Sequence, residues 1–171
     1  MADREALLAE LDAEHDAFLD ALSVVDADLV TVPGVMENWS VRDLVVHVAA
    51  WSEHGAGAVQ LAATQRGSEF TYAKTDTDRM NAEVLAEARS ISPHAALTRE
   101  AEAFDRFRAA VAGLDPSLLA VVLGNGDTVE AVIRYDGPDH YSEHAGHLRA
   151  WFDADEADDD EETAPTGNRS R

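Results

Sequence analysis

Apolar residues recur along this chain mostly at three- and four-residue steps, the period of helices that bury one face. Leu7, Leu8, Leu11, His15, Phe18, Leu22 and Val25 mark the first such face, with Glu, Asp and Arg between them. They predict a helix over residues 2 to about 25. Asp26 to Asn38 follows as a connector, in which Pro33-Gly34 is a turn signal. A second helix is announced at Ser40. Serine is a favoured N-cap, and Asp43 at the third helical position can close a capping box and complement the helix dipole. Trp39, ahead of the cap, can pack on Leu44. The pattern carries this helix from about Val41 to Ala63, where Gly55 and Gly57 weaken it but allow a neighbour to come close.

Gln65 to Thr77 is polar and irregular. Helical spacing resumes from Asp78 to about Arg89 and breaks at Ser92-Pro93, a natural N-cap followed by proline at the first helical position. A longer piece runs from Pro93 to about Ala112, with Ala96, Leu97, Ala101, Phe104, Phe107, Val111 and Leu114 on its predicted inner side. Leu114-Asp115-Pro116-Ser117 stops it, and Pro116 to Leu119 predicts a short extra turn. Val121 to Tyr135 admits two readings. Asn125-Gly126 resembles a hairpin turn, whereas Asp127-Thr128-Val129-Glu130 resembles a capped helix start. The helix is preferred, because a lone hairpin has no sheet to join. Gly137-Pro138 then breaks or kinks the chain, and a last helix is expected from Pro138 to about Phe152. The expectation is an all-α fold, a single antiparallel four-helix-bundle domain over residues 1–152, with 153–171 as an acidic disordered tail.

Charge narrows the partners. The formal net charge is −21, and eight acids fall in the ten residues from Asp153 to Glu162. The body through Phe152 still keeps 26 acids against 11 bases. Such a balance argues against nucleic acid and anionic lipid surfaces, so the expected partner is a small molecule, with no nucleic acid and no membrane. No apolar run is long enough to span a bilayer, and no basic-then-apolar start suggests export. Cysteine is absent, which removes disulfides, thiolate metal ligands and a cysteine nucleophile together.

The candidate chemistry lies in Asp139 to Trp151. His140, His144, His147 and Trp151 fall at i, i+4, i+7 and i+11, one stripe of a helix. His47, Trp51 and His54 repeat the i, i+4, i+7 arrangement on the second helix. Taken alone, the HxxxH pair reads equally well as metal ligands or as exposed or hydrogen-bonded histidines, and a lone His47 reads as core rather than ligand. Taken together, His47 with His140 and His144 can form a three-histidine metal site on facing helices, leaving positions open for water or substrate. Glu143 reads as a general base, as a partner behind the ligands, or as a solvated residue. His54 and His147 are spare imidazoles on the same stripes and candidate acid–base groups. Trp51 and Trp151 read as pocket walls or core.

Trp39-Ser40-Val41-Arg42-Asp43-Leu44-Val45-Val46-His47-Val48-Ala49-Ala50-Trp51 and His140-Tyr141-Ser142-Glu143-His144 resemble the DinB/YfiT-like four-helix-bundle superfamily, most closely its ClbS/DfsB family. Arg79-Met80-Asn81-Ala82-Glu83-Val84 is similar as well, so the resemblance covers about residues 3 to 152. It implies a cytoplasmic bundle of up-down-down-up type, often a homodimer. It also implies a divalent metal (nickel, zinc or iron) held at His47, His140 and His144. The activities implied are thiol transfer or isomerisation with a low-molecular-weight thiol, or hydrolysis of an electrophilic or toxic molecule, in detoxification or self-resistance. Gly137-Pro138 departs from the continuous helix usual in relatives. Two other readings stand beside the enzyme: a module that sequesters a small molecule without turnover, and a structural bundle with a vestigial metal site.

Overall fold

In the computed structural model, residues 3–162 are described for the backbone and residues 3–153 for side chains. Six helices dominate: α1 (Arg4–Ser23), α2 (Val41–Ala63), α3 (Thr77–Ala88), α4 (Pro93–Gly113), α5 (Val129–Asp136) and α6 (Pro138–Glu162). The four long ones, α1, α2, α4 and α6, form the bundle. α2 packs chiefly on α4 and α1 chiefly on α6, while α5 touches both α2 and α6. Phe18, Leu44, Phe107, Ile133 and Leu148 are among the side chains closed off in the shared core. None of the described helices is long and apolar enough to cross a membrane.

The caps explain why the helices begin where they do. Ser40 Oγ accepts from the Asp43 N–H at 3.3 Å, and Asp43 Oδ2 accepts from the Ser40 N–H at 3.0 Å. Both residues are buried, so each bond satisfies a donor that water cannot reach. Ser40→Ala is therefore expected to lower unfolding free energy by about 1 kcal/mol, measured by urea denaturation. An unchanged midpoint would remove the cap from the account of this helix. Ser92 caps α4 with Pro93 behind it, and Thr128 caps α5.

Several expectations need correction. Pro33-Gly34 is not the turn of the first connector but part of strand β1 (Pro33–Met36), which pairs antiparallel with β2 (Trp39–Ser40). The reversal falls at Glu37, whose φ of +48° is left-handed. On α4, Leu97 is 48% exposed and Ala101 is also exposed. The inner stripe instead runs through Ala96, Glu100, Ala103, Phe104, Phe107 and Val111. A glutamate occupies a position where only apolar residues were expected. Both readings of residues 121–135 hold in part: Val122 and Thr128 form an isolated bridge across the Asn125-Gly126 turn, and α5 starts immediately after it. The last helix continues to Glu162, beyond the expected end at Phe152. The acidic run lost an apolar stripe, but it holds alanine and glutamate and meets no glycine or proline before Pro165. Residues 163–171 of the expected disordered tail lie outside the described residues.

Glu100 is satisfied by a polar network that crosses the core. His15 Nε2 (α1) donates to Glu100 Oε1 at 3.0 Å, and the Tyr141 hydroxyl (α6) donates to the same oxygen at 2.8 Å. Ser52 Oγ (α2) completes it, 2.9 Å from the Tyr141 hydroxyl. His15 also stacks on Phe104 with ring centroids 3.5 Å apart. Burial, and then the neighbouring carboxylate, push the Tyr141 hydroxyl well above its usual pKa, so it stays a donor. Each of the four long helices contributes one member.

Candidate metal centre

The register of α2, fixed by its capping box, puts His47 on the inner face, where it is 5% exposed. α6 presents His140 half-buried and His144 buried, one turn apart. One ring nitrogen from each of the three lies within 4.8 Å of the others. His140 Nε2 is 2.8 Å from His47 Nε2, and the His144 ring stands edge-on to His47 at 4.9 Å. Trp39 and Trp51 also meet the His47 ring edge-on, giving the cluster an apolar collar.

Electrostatics keep the cluster neutral. Burial, reinforced by His140, lowers the His47 pKa to about 3. Burial lowers that of His140 to about 4, against a hydrogen bond from its ring to the Tyr135 backbone carbonyl. His144 is lowered still further by burial and by the three imidazoles around it, His140, His47 and His147. The carbonyl of Tyr135 is free to accept because it lies in the last turn of α5, where no helical N–H follows. With that ring nitrogen engaged, His140 turns a bare Nε2 toward His47, the arrangement by which a ligand histidine is commonly oriented.

These residues fit a divalent metal. Three neutral imidazoles form a borderline nitrogen donor set suited to zinc, nickel or iron and unsuited to calcium or magnesium. Being unprotonated near neutral pH, they offer lone pairs without first losing a proton. His140 also lines a cleft of about 650 Å³ with Trp51, Tyr72, Lys74, Tyr135 and Glu143, so the cluster has a route to a small molecule.

The other expected site residues are placed unequally. His147 joins the cluster from behind, its Nδ1 3.1 Å from His144 Nδ1. Glu143 is exposed on the cleft wall and has no hydrogen bond or ion pair among the described residues. His54 does not join the triad. It sits beyond Trp51, with ring centroids 5.2 Å apart, and bonds through Nδ1 to Asp136 Oδ2 at 2.7 Å. Trp51 is a cleft wall, its Nε1 donating to Asn81 Oδ1 at 3.2 Å. Trp151 is not among the cleft residues; its Nε1 faces Gly34 of β1. Sequence reasoning missed Asp136, Lys74 and Tyr135. A signal existed for one of them, since Lys74 is the only lysine in the chain.

Comparison with known proteins bears on the family and the fold. Residues 8–149 match the family described as the mycothiol maleylpyruvate isomerase N-terminal domain. No curated protein matches the chain in sequence. Among solved structures, an uncharacterised protein from Escherichia coli UTI89 has the same fold with a TM-score of 0.77 at 15% identity, over 90% of this chain and 94% of that one. The mycothiol-dependent maleylpyruvate isomerase gives a TM-score of 0.72 at 17% identity over 86% of this chain, which spans 61% of the isomerase's length. The colibactin self-resistance protein ClbS, crystallised with a dsDNA, gives 0.72 at 17% identity, over 86% of this chain and 94% of that one. The family match, together with the fold these structures share, agrees with the DinB-like assignment read from the motifs. The ClbS complex overturns the exclusion of nucleic acid. That exclusion rested on net charge, which sums the whole chain and does not describe the surface at any one contact.

Proposed function

We propose that this chain, which belongs to the mycothiol maleylpyruvate isomerase N-terminal domain family within the DinB/YfiT-like superfamily, is a metal-dependent enzyme acting on electrophilic small molecules with a low-molecular-weight thiol as nucleophile. The observation that carries this reading is the convergence of His47, His140 and His144 beside an accessible cleft. Those three residues would hold a divalent ion. Bound there, a divalent cation supplies Lewis acidity that makes a thiol or a water nucleophilic at neutral pH. The chain contains no cysteine, so the sulfur comes from outside.

The protein's own groups do the rest. His147 steadies the His144 ring from behind through the Nδ1 contact. Trp51 and Tyr72, whose rings meet edge-on at 5.6 Å, wall the cleft and keep water off the reacting atoms. Glu143, exposed on the cleft wall one residue before His144, takes up the proton that the thiol releases. The need for a reduced small thiol fits a cytoplasmic location.

The test uses protein purified without a histidine tag, stripped with chelator and reloaded with zinc, nickel or iron(II). Mycothiol and maleylpyruvate are the probes, with thiol consumption and product both followed. Conversion that requires both metal and mycothiol is the expected result. Equal rates with and without metal would sink the proposal, and product formed at full rate without thiol would assign water as the nucleophile instead.

A further inference from the structure

α2 and α6 carry the converging histidines, yet they touch each other sparsely. Between them lies α5, which packs against both. The last two residues of α5 each hold one histidine. The Tyr135 carbonyl accepts from the His140 ring on α6, and the Asp136 carboxylate binds His54 Nδ1 on α2 at 2.7 Å. His54 lies two turns beyond His47 on one helix, about 10 Å along its axis.

The packing around this junction leaves no slack. A Cβ on Gly55 would stand 3.0 Å from Asp136 Cβ and 2.7 Å from Phe107 Cζ. One on Gly137 would stand 2.6 Å from the Ile133 carbonyl oxygen and 3.1 Å from Phe107 Cε1. Both positions need glycine for this close approach, and the second is the departure from a continuous helix noted in the sequence. Asp136 is 1% exposed, and its Oδ1 is buried without a partner. Burial raises its pKa to about 6 despite the His54 bond. A buried carboxylate with an unsatisfied oxygen is a poor choice for stability alone.

We propose that the His54–Asp136 pair is a positioning latch that sets the approach of α2 to α6 and so brings His47 and His140 together. The latch acts through its hydrogen bond, not through its charge. His54 is thereby a positioning residue and not a spare acid–base group. The inference draws on the metal reading for one of its two tests only.

Three variants separate the possibilities. Asp136→Leu and His54→Phe each break the bond, the second leaving an aromatic ring between Trp51, Phe70 and Tyr72. Asp136→Asn keeps an oxygen that can accept from His54 Nδ1–H. In chelator-treated protein, the imidazole 15N and 1H signals of His47 and His140 should shift in the first two variants and stay near wild type in the third. Co2+ binding, read from its visible spectrum and by chelator competition, should weaken about tenfold or more in the first two and be retained in the third. Combining His54→Phe with Asp136→Leu should weaken it little further, since both remove the same bond. Unmoved imidazole signals in His54→Phe overturn the latch, even where Asp136→Leu fails to fold. Losses in Asp136→Asn equal to those in Asp136→Leu overturn it as well, by assigning the effect to charge. A wild-type protein that binds no Co2+ defeats the metal reading, and the imidazole signals of the metal-free protein then decide the latch by themselves.

Discussion

His144→Ala abolishes stoichiometric metal binding and the activity that depends on it, while the protein still unfolds cooperatively. His144 is the most enclosed of the three imidazoles, 3% exposed, and contacts both other candidate ligands and His147. Its removal leaves two ligands where three are needed to hold an ion with open positions. Zinc held by a full protein ligand set is worth roughly 10–16 kcal/mol in small domains, or about 3 kcal/mol per ligand, so the loss in affinity should be on the order of 100-fold or more. The fold should survive. Its core runs through all four long helices, and a bundle of this size does not depend on a metal staple as domains below about 40 residues do. Elemental analysis after gel filtration gives the metal content, and thermal unfolding monitors the fold. Metal remaining near one per chain in the variant would show the ligand assignment to be wrong.

Acidification from pH 7 to pH 5 strongly destabilises the metal-free protein. Unfolded histidines titrate near 6.5. In the fold, His47 and His140 are held at about 3 and about 4, and His144 lower again. A depressed folded pKa means stability that is present above the unfolded pKa and lost as pH falls below it. At pH 5 the unfolded chain therefore holds about three protons on these imidazoles that the native state refuses. Asp136 works the other way: held up at about 6, it takes a proton in the folded state that an unfolded aspartate does not bind until near 3.8. The net difference is about two protons, or about 3 kcal/mol per pH unit near pH 5. Relief of self-repulsion in this acidic chain opposes the trend only at lower pH, where exposed carboxylates begin to titrate. Urea midpoints at pH 7, 6 and 5 after chelator treatment measure the slope, and His140→Gln/His144→Gln should flatten it. A midpoint that rises on acidification would mean that the imidazoles are not buried in neutral form.

Much of this was legible along the chain because its signals are local. Ser40 with Asp43, Ser92 with Pro93 and Thr128 each state a helix start in the few residues that build it. The 140/144 spacing places two imidazoles on one helix face whatever the bundle does. His47 could join them in thought because a second stripe of matching period lay on another helix. Other features depend on which helices meet, and periodicity is silent there. Glu100 lies four residues from both Ala96 and Phe104, on the inner stripe, yet its charge disguised it as a surface residue until His15 and Tyr141 supplied partners. His54 shares a stripe with His47 but lies two turns further on and falls to α5 instead of to the triad. Net charge misled about nucleic acid for a related reason: a sum carries no position.

The network of His15, Ser52, Glu100 and Tyr141 has a consequence for how this protein can change over generations. None of the four is a candidate ligand, so each looks free to drift. Yet every one of them satisfies a buried polar group on a different helix. Replacing one takes a bond from each neighbour it touches, and loss of Glu100 or Tyr141 leaves His15 or Ser52 without its partner in the network, at about 1–3 kcal/mol for a buried neutral group left unsatisfied. That is a large part of the 5–15 kcal/mol that usually holds a domain folded. The four positions are thus energetically coupled and expected to change together. A lineage reaches an all-apolar centre only by passing through intermediates less stable than either end, or by changing several residues at once.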